Sequence, residues 1–255
     1  MSNQLELRST FRLSGEGLGS IPVSNDRIIN STFSTDTHSN SSEFNDLKKN
    51  NFAVATTISQ AIYNGLGADL KNEVEAYSSK KFASKINKLF SDSTTHLSLR
   101  DKDRDLAGFD FNGVHAFDDG VSTRFFVKKG AHCGHVIFHI PAFVPQAELK
   151  VPKGATNFKF SVRLITISDF EKVGSDFHTT NIRQHGRTMS FQTSMLPLLR
   201  ITTQPITTQL RVTNRGFSAA GLSSVLVLGV EYFEYSQKKF NRMNDCTRMK
   251  ILKVF

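Results

Sequence analysis

"GLSSVLVLGVEYFEY", residues 221–235, is the stretch on which the fold turns. Val, Leu, Ser and Gly run through position 230 without a charge, and acidic and aromatic residues follow. Such a segment reads as a long central strand that becomes half-exposed toward its end. A central strand needs neighbours. Candidates lie at 133–140, 147–151, 157–168, 196–203 and 207–213, and "ITTQPITTQLRVT", residues 201–213, is rich in β-branched residues. "FDFNGVHAFDDGVSTRFFVKKG", residues 109–130, alternates and carries "NG" and "DG", which are hairpin signals. The tail "RMKILKVF", residues 248–255, suits one last edge strand. Turn signals at a spacing of roughly 8–15 residues predict an antiparallel β-sandwich over residues 106–255.

Upstream the period is helical. Asn40 suits an N-cap with Glu43 three positions on, and Leu47, Val54, Ile58, Ala61, Ile62 and Leu66 form a stripe that ends at Gly65 and Gly67. A second helical region covers about 69–90, with Leu70, Val74 and Tyr77 on one stripe and Phe82, Ile86, Leu89 and Phe90 on another. Residues 41–105 are thus a helical hairpin or three-helix unit, closed by the polar loop "SDSTTHLSLRDKDRD". Residues 1–40 are rich in Ser, Asn, Thr and Gly and hold too little apolar surface to fold alone. They are expected to be an extended arm that docks on a neighbour through Leu13, Leu18, Ile21, Val23, Ile28, Ile29 and Phe33. The fold class is therefore α+β: arm, helical unit, β-sandwich.

Composition narrows the functions. The 255 residues are ample for a core. There is no apolar run of transmembrane length and no apolar leader, so a chain without a signal peptide, cytoplasmic at synthesis, is expected. Two cysteines, Cys133 and Cys246, are too few for a disulfide framework and are expected as reduced thiols. With 22 Phe, four Tyr and no Trp, the aromatics suit cores and subunit contacts better than sugar or base stacking. Of the net charge of +9, the placement matters most. Residues 46–110 hold ten Lys/Arg against nine Asp/Glu, whereas residues 177–230 hold no acid and no Lys, only Arg183, Arg187, Arg200, Arg211 and Arg215. Arginines in such a setting suit an ordinary solvated face whose acidic partners come from elsewhere in the fold, bidentate contacts to carboxylates of a neighbouring subunit, or contacts to phosphates.

One stretch invites a metal. "AHCGHVIFHI", residues 131–140, places His132, Cys133, His135 and His139 within ten residues. On a strand rising about 3.3 Å per residue, Cys133 and His135 share a face about 7 Å apart, while His135 and His139 are about 13 Å apart. Cys133 and His135 are the two compatible ligands, and a zinc site needs three or four. No metal and no cofactor are expected. "GEGLG", residues 15–19, has no strand before it and no helix directly after it, which a nucleotide loop requires. "DKDRD", residues 101–105, lacks the downstream bidentate Glu of a calcium loop. No G-x-x-x-x-G-K-[ST] or G-x-S-x-G motif is present, so no catalytic residue is assigned and no enzyme is expected.

"SSEFNDLKKNNFAVATTISQAIYNGL", "GFDFN", "PKGATNFKF" and "LVLGVEYFEY" together resemble a group of uncharacterised proteins of Bacteroidota-type bacteria. The similarity spans most of residues 40–235. It implies the same layout, helical first and β-rich second, in a single unit, and brings no activity, cofactor or site residue with it. The expected function is a structural, self-assembling subunit of a tube, filament or shell, with the chain itself as partner. The alternatives are a nucleic-acid-associated or virion-type coat protein, or a ligand- or carbohydrate-binding β-sandwich module.

Overall fold

The computed structural model describes residues 39–71, 76–212 and 220–255. The arm expected over residues 1–40, with all seven of its docking residues, lies outside them apart from its last two positions, and so does Arg215. The described residues form one compact unit. Its helices are α1 (Ser39–Gly65), α2 (Gly67–Lys71), α3 (Ala76–Leu89), α4 (Asp103–Leu106) and α5 (Pro145–Glu148). Its strands are β1 (His96–Leu97), β2 (Phe126–Lys129), β3 (His135–Ile140), β4 (Asn157–Ser168), β5 (Phe170–Val173), β6 (Asp176–Thr179), β7 (Thr188–Gln192), β8 (Leu196–Pro197), β9 (Ile206–Arg211), β10 (Leu222–Ser236), β11 (Lys239–Arg242) and β12 (Arg248–Val254). The chain is mixed α+β, and the strand pairs are antiparallel.

β10 is the axis of the molecule. It pairs with β4 along twelve residues, from Leu222↔Ser168 to Phe233↔Asn157. On its other side it takes β12 and, near its end, β11. β7 and β8 extend the sheet beyond β4. Residues 222–233 are all buried, and exposure begins at Glu234. Burial on both faces is why the run does not alternate.

The two faces of this six-stranded sheet meet different layers. Val225 and Val227 of β10, with Ile165 and Ile167 of β4, join Val54, Ile58 and Ile62 of α1, Leu66 just after it, Leu70 of α2, and Phe82 and Ile86 of α3. The stripe read on α1 is the face buried there. Tyr63, Phe82, Phe109 and Phe111 form a ring cluster in the same core, with centroids 4.6–6.3 Å apart. On the opposite face, Leu226, Leu228, Val230 and Tyr232 of β10, with Phe158, Phe160, Val162 and Leu164 of β4, meet Val136, Phe138 and Ile140 of β3 and Leu210 of β9. β2, β3 and β9 form a three-stranded sheet over that face. The layers are therefore helices, large sheet, small sheet. A third group, β1–β5–β6, forms a separate sheet that contributes Leu97 and Phe170 to the helix-facing core.

The junction of α1 with the sheet depends on a glycine. A Cβ on Gly65 would come within 2.7 Å of Thr188 Oγ1 and 2.8 Å of the Ile165 side chain. No larger residue lets the helix end approach β4 and β7 this closely. Just beyond it, the buried Arg163 donates from Nε to the Leu66 carbonyl at 2.9 Å. A cation at the end of a helix offsets the partial negative charge of its last carbonyls.

Several expected strands are corrected. Residues 109–125 do not form the hairpins that "NG" and "DG" suggest; they make two isolated bridges, Asp110↔Lys250 and Val121↔Leu149. Side chains take the backbone partners that a ladder would have used. Asn112 Oδ1 accepts from the Val114 and His115 N–H groups, Asp110 Oδ2 accepts from Phe117 N–H, and Arg248 Nη1 donates to the Ala116 carbonyl. Residues 147–151 lose their strand to α5, which begins at Pro145, where the missing N–H costs nothing. The strand expected at 196–203 shrinks to Leu196–Pro197. The β5–β6 hairpin, which turns through Gly174 at φ 65°, and β7 and β11 had no counterpart in the sequence reading. The expected last strand, β12, lies beside β10 with Met249 and Ile251 in the helix-facing core.

Candidate interaction surface

The four described arginines of the acid-free segment do not form one cluster. Arg183 and Arg187 share the loop after β6, where the Gln184 and Arg187 carbonyls accept from Thr166 Oγ1. Arg200 lies between β8 and β9, its Nε donating to Gln146 Oε1 at 3.1 Å. Arg211 ends β9 opposite His135. Arg183, Arg187 and Arg200 are exposed and Arg211 is half-buried. Among the described residues none of the four makes an ion pair with a carboxylate. Asp101, Asp105 and Asp119 are exposed, and they too lack an ionic partner among the described residues.

Beside Arg200 runs an apolar groove of about 350 Å³, lined by Leu196, Pro197, Leu199, Ile201 and Ile206 with Thr203. Leu199 is 45% and Ile201 70% exposed, large values for aliphatic side chains. Nothing in the spacing of "LPLLRITTQ" distinguished these residues from a strand; their exposure follows from the chain leaving the sheet after Pro197.

Cys133 and His135 are not arranged as the strand reading placed them. The strand begins at His135, and Gly134 takes φ 70°, so Cys133 belongs to a turn and the face-sharing geometry is lost. Cys133 Sγ lies 3.4 Å from the Leu222 carbonyl and 3.5 Å from Ser224 Oγ. His135 is buried against Gly130, at which even a Cβ would come within 2.1 Å of the imidazole. Among the described residues there is no group of three or more His, Cys, Asp or Glu able to hold a metal. His139 faces outward and its Nδ1 pairs with Thr207 Oγ1 at 2.8 Å.

A second polar group clamps the loop over residues 110–120 onto β12. Lys250 pairs with Asp118 and lies 4.9 Å over the Phe117 ring. Gly120 lies so close to Arg248 that a Cβ would come within 2.2 Å of its guanidinium. Burial pushes the Tyr232 phenol up to about 12. Burial also raises the Asp110 carboxyl to about 6; the Phe117 N–H bond opposes the shift, Asp118 adds to it, and Lys250 and Arg248 oppose it. The folded chain thus holds the Asp110 proton more tightly than the unfolded chain does. The associated stability is full below about pH 3.8 and is lost as pH rises through about 6. Asp110→Asn keeps an acceptor for Phe117 N–H and removes the buried charge. Discounted for partial exposure, the variant is expected to be about 1 kcal/mol more stable than the parent near pH 7, with the gap closing near pH 4. Thermal melts at the two pH values check this, and a variant less stable at neutral pH contradicts it.

The candidate surface thus comprises separate exposed charges of both signs, without ionic partners among the described residues, and an apolar groove beside Arg200. Compared with known families, curated proteins and solved structures, the chain shows no match. Among the described residues no helix is long and apolar enough to cross a membrane.

Proposed function

We propose that this chain is a structural, self-assembling subunit of a homo-oligomeric particle. One observation carries the reading: Arg183, Arg187 and Arg200 of the acid-free segment, and Asp101, Asp105 and Asp119, are exposed and have no ionic partner among the described residues. A second copy supplies each with its complement. Contacts between two different patches are heterologous, and heterologous contacts propagate into rings, tubes or filaments. The groove beside Leu199 and Ile201 offers apolar area for a further contact. The extended arm at residues 1–40 belongs to this proposal as a further contact with a neighbour.

Sedimentation and electron microscopy of the full chain test it. Particles are expected at low salt and should dissolve toward about 1 M salt, where screening shortens from about 10 Å to about 3 Å. Arg183→Glu with Arg187→Glu should leave a folded, dispersed chain, and adding Asp101→Lys with Asp105→Lys should restore assembly. A monomer at every salt concentration refutes the proposal.

A further inference from the structure

The outer face of the small sheet is largely open, with Phe126, Lys128, Thr207 and Gln209 exposed. Register fixes what it presents. Phe126, His139 and Thr207 form one cross-strand row, and Lys128, Ile137 and Gln209 the next. His135 and Arg211 form the third. Side chains of alternate residues share a face, so these eight lie opposite the core that Val127, Val136, Phe138, Ile140 and Leu210 fill; His135 is buried against Gly130, and the other seven are exposed or half-buried. β2, β3 and β9 contain Lys128, Lys129, Arg211, His135 and His139 and no Asp or Glu. Phe126 is 56% exposed, in the same row as a histidine whose ring lies 6.0 Å away and is oriented by Thr207. With strands about 4.8 Å apart and rows about 7 Å apart, the face is a platform roughly 10 Å wide.

We propose that this face binds single-stranded nucleic acid. Cations alone fit any polyanion. An exposed ring set flush in a sheet, with cations one and two rows away, fits unpaired bases, which stack on aromatic faces while the phosphates meet Lys and Arg. A duplex hides its base faces, and a sulfated polysaccharide has no planar π face to stack. The absence of carboxylates from the three strands removes the repulsion that a phosphate chain would meet. This surface is separate from Arg183 and Arg187, so the inference does not depend on how subunits assemble.

The test is fluorescence anisotropy of the full chain with a short labelled oligouridylate, a duplex of equal length, and heparin as competitor. The single strand is expected to bind more tightly than the duplex, with a log–log salt slope of about −2 for contacts from two or three cations. Phe126→Ala should weaken single-strand binding about tenfold and leave heparin binding unchanged. Lys128→Glu with Arg211→Glu should abolish both, and Arg183→Glu with Arg187→Glu should abolish neither. Ultraviolet crosslinking of the unaltered chain should label the peptide that contains Phe126, a readout independent of whether any variant folds. Absence of binding, equal binding of duplex and single strand, indifference to Phe126→Ala, or a crosslink confined to another peptide overturns the proposal.

Discussion

Phe160→Ala will lower the stability of the chain by about 3–5 kcal/mol, the range for removing a large aromatic from a closed core. Phe160 is fully buried on β4, on the face toward the small sheet. Its ring lies 5.5 Å from Phe125, 5.9 Å from Phe143 and 5.5 Å from Phe158, in tilted and edge-on arrangements. Such pairs add about 0.5–1.5 kcal/mol beyond burial alone. The surrounding rings belong to β4, to the segment before β2 and to the loop after β3, so they cannot all shift inward to fill the space. Total stabilities of about 5–15 kcal/mol are usual, and the loss would leave a marginal protein. Urea titration followed by circular dichroism gives the value. A midpoint within experimental scatter of the parent would mean that the two sheets are not packed as described.

Arg242→Met is expected to cost about 3 kcal/mol, far more than removal of an ordinary half-exposed arginine. Arg242 on β11 places Nε 3.3 Å from Oε2 of Glu231, whose side chain is only 5% exposed. Ser161 Oγ donates to the other carboxylate oxygen. Without the guanidinium the carboxylate is left buried with one hydroxyl partner. Glu231→Leu combined with Arg242→Met removes both charges, and this double variant should recover most of the lost stability. If the double variant is as unstable as the single one, packing of the arginine stem and not the buried charge sets the cost.

How much of this was legible beforehand can be traced residue by residue. Val225–Val230 is apolar without alternation, and only a strand or helix buried on every side tolerates that; its β-branched content decided for strand. The α1 stripe of Val54, Ile58 and Ile62 repeats at the helical period, because one helix face alone meets the sheet. Local sequence carries such signals because they are periodic in the element that makes them. The candidate surface was legible in charge only. The acid-free run from 177 to 230 is plain in the sequence, yet its arginines separate onto a loop, a groove and a strand end.

Composition, the central strand, the helical stripe and the segregation of charge belong to the sequence by itself. Tertiary structure alone decided that the large sheet has helices on one face and a small sheet on the other. It also decided that residues 109–125 satisfy their backbone through Asn112, Asp110 and Arg248 rather than a hairpin, and that Gly134 takes Cys133 off the face of His135. It placed Phe126 and Lys128 of β2 and Arg211 of the distant β9 on one face, with β3 between them. The reason is physical. Periodicity records which side of an element is buried, whereas the identity of the covering layer, and of the side chain that captures a given backbone group, depends on residues up to 151 positions away.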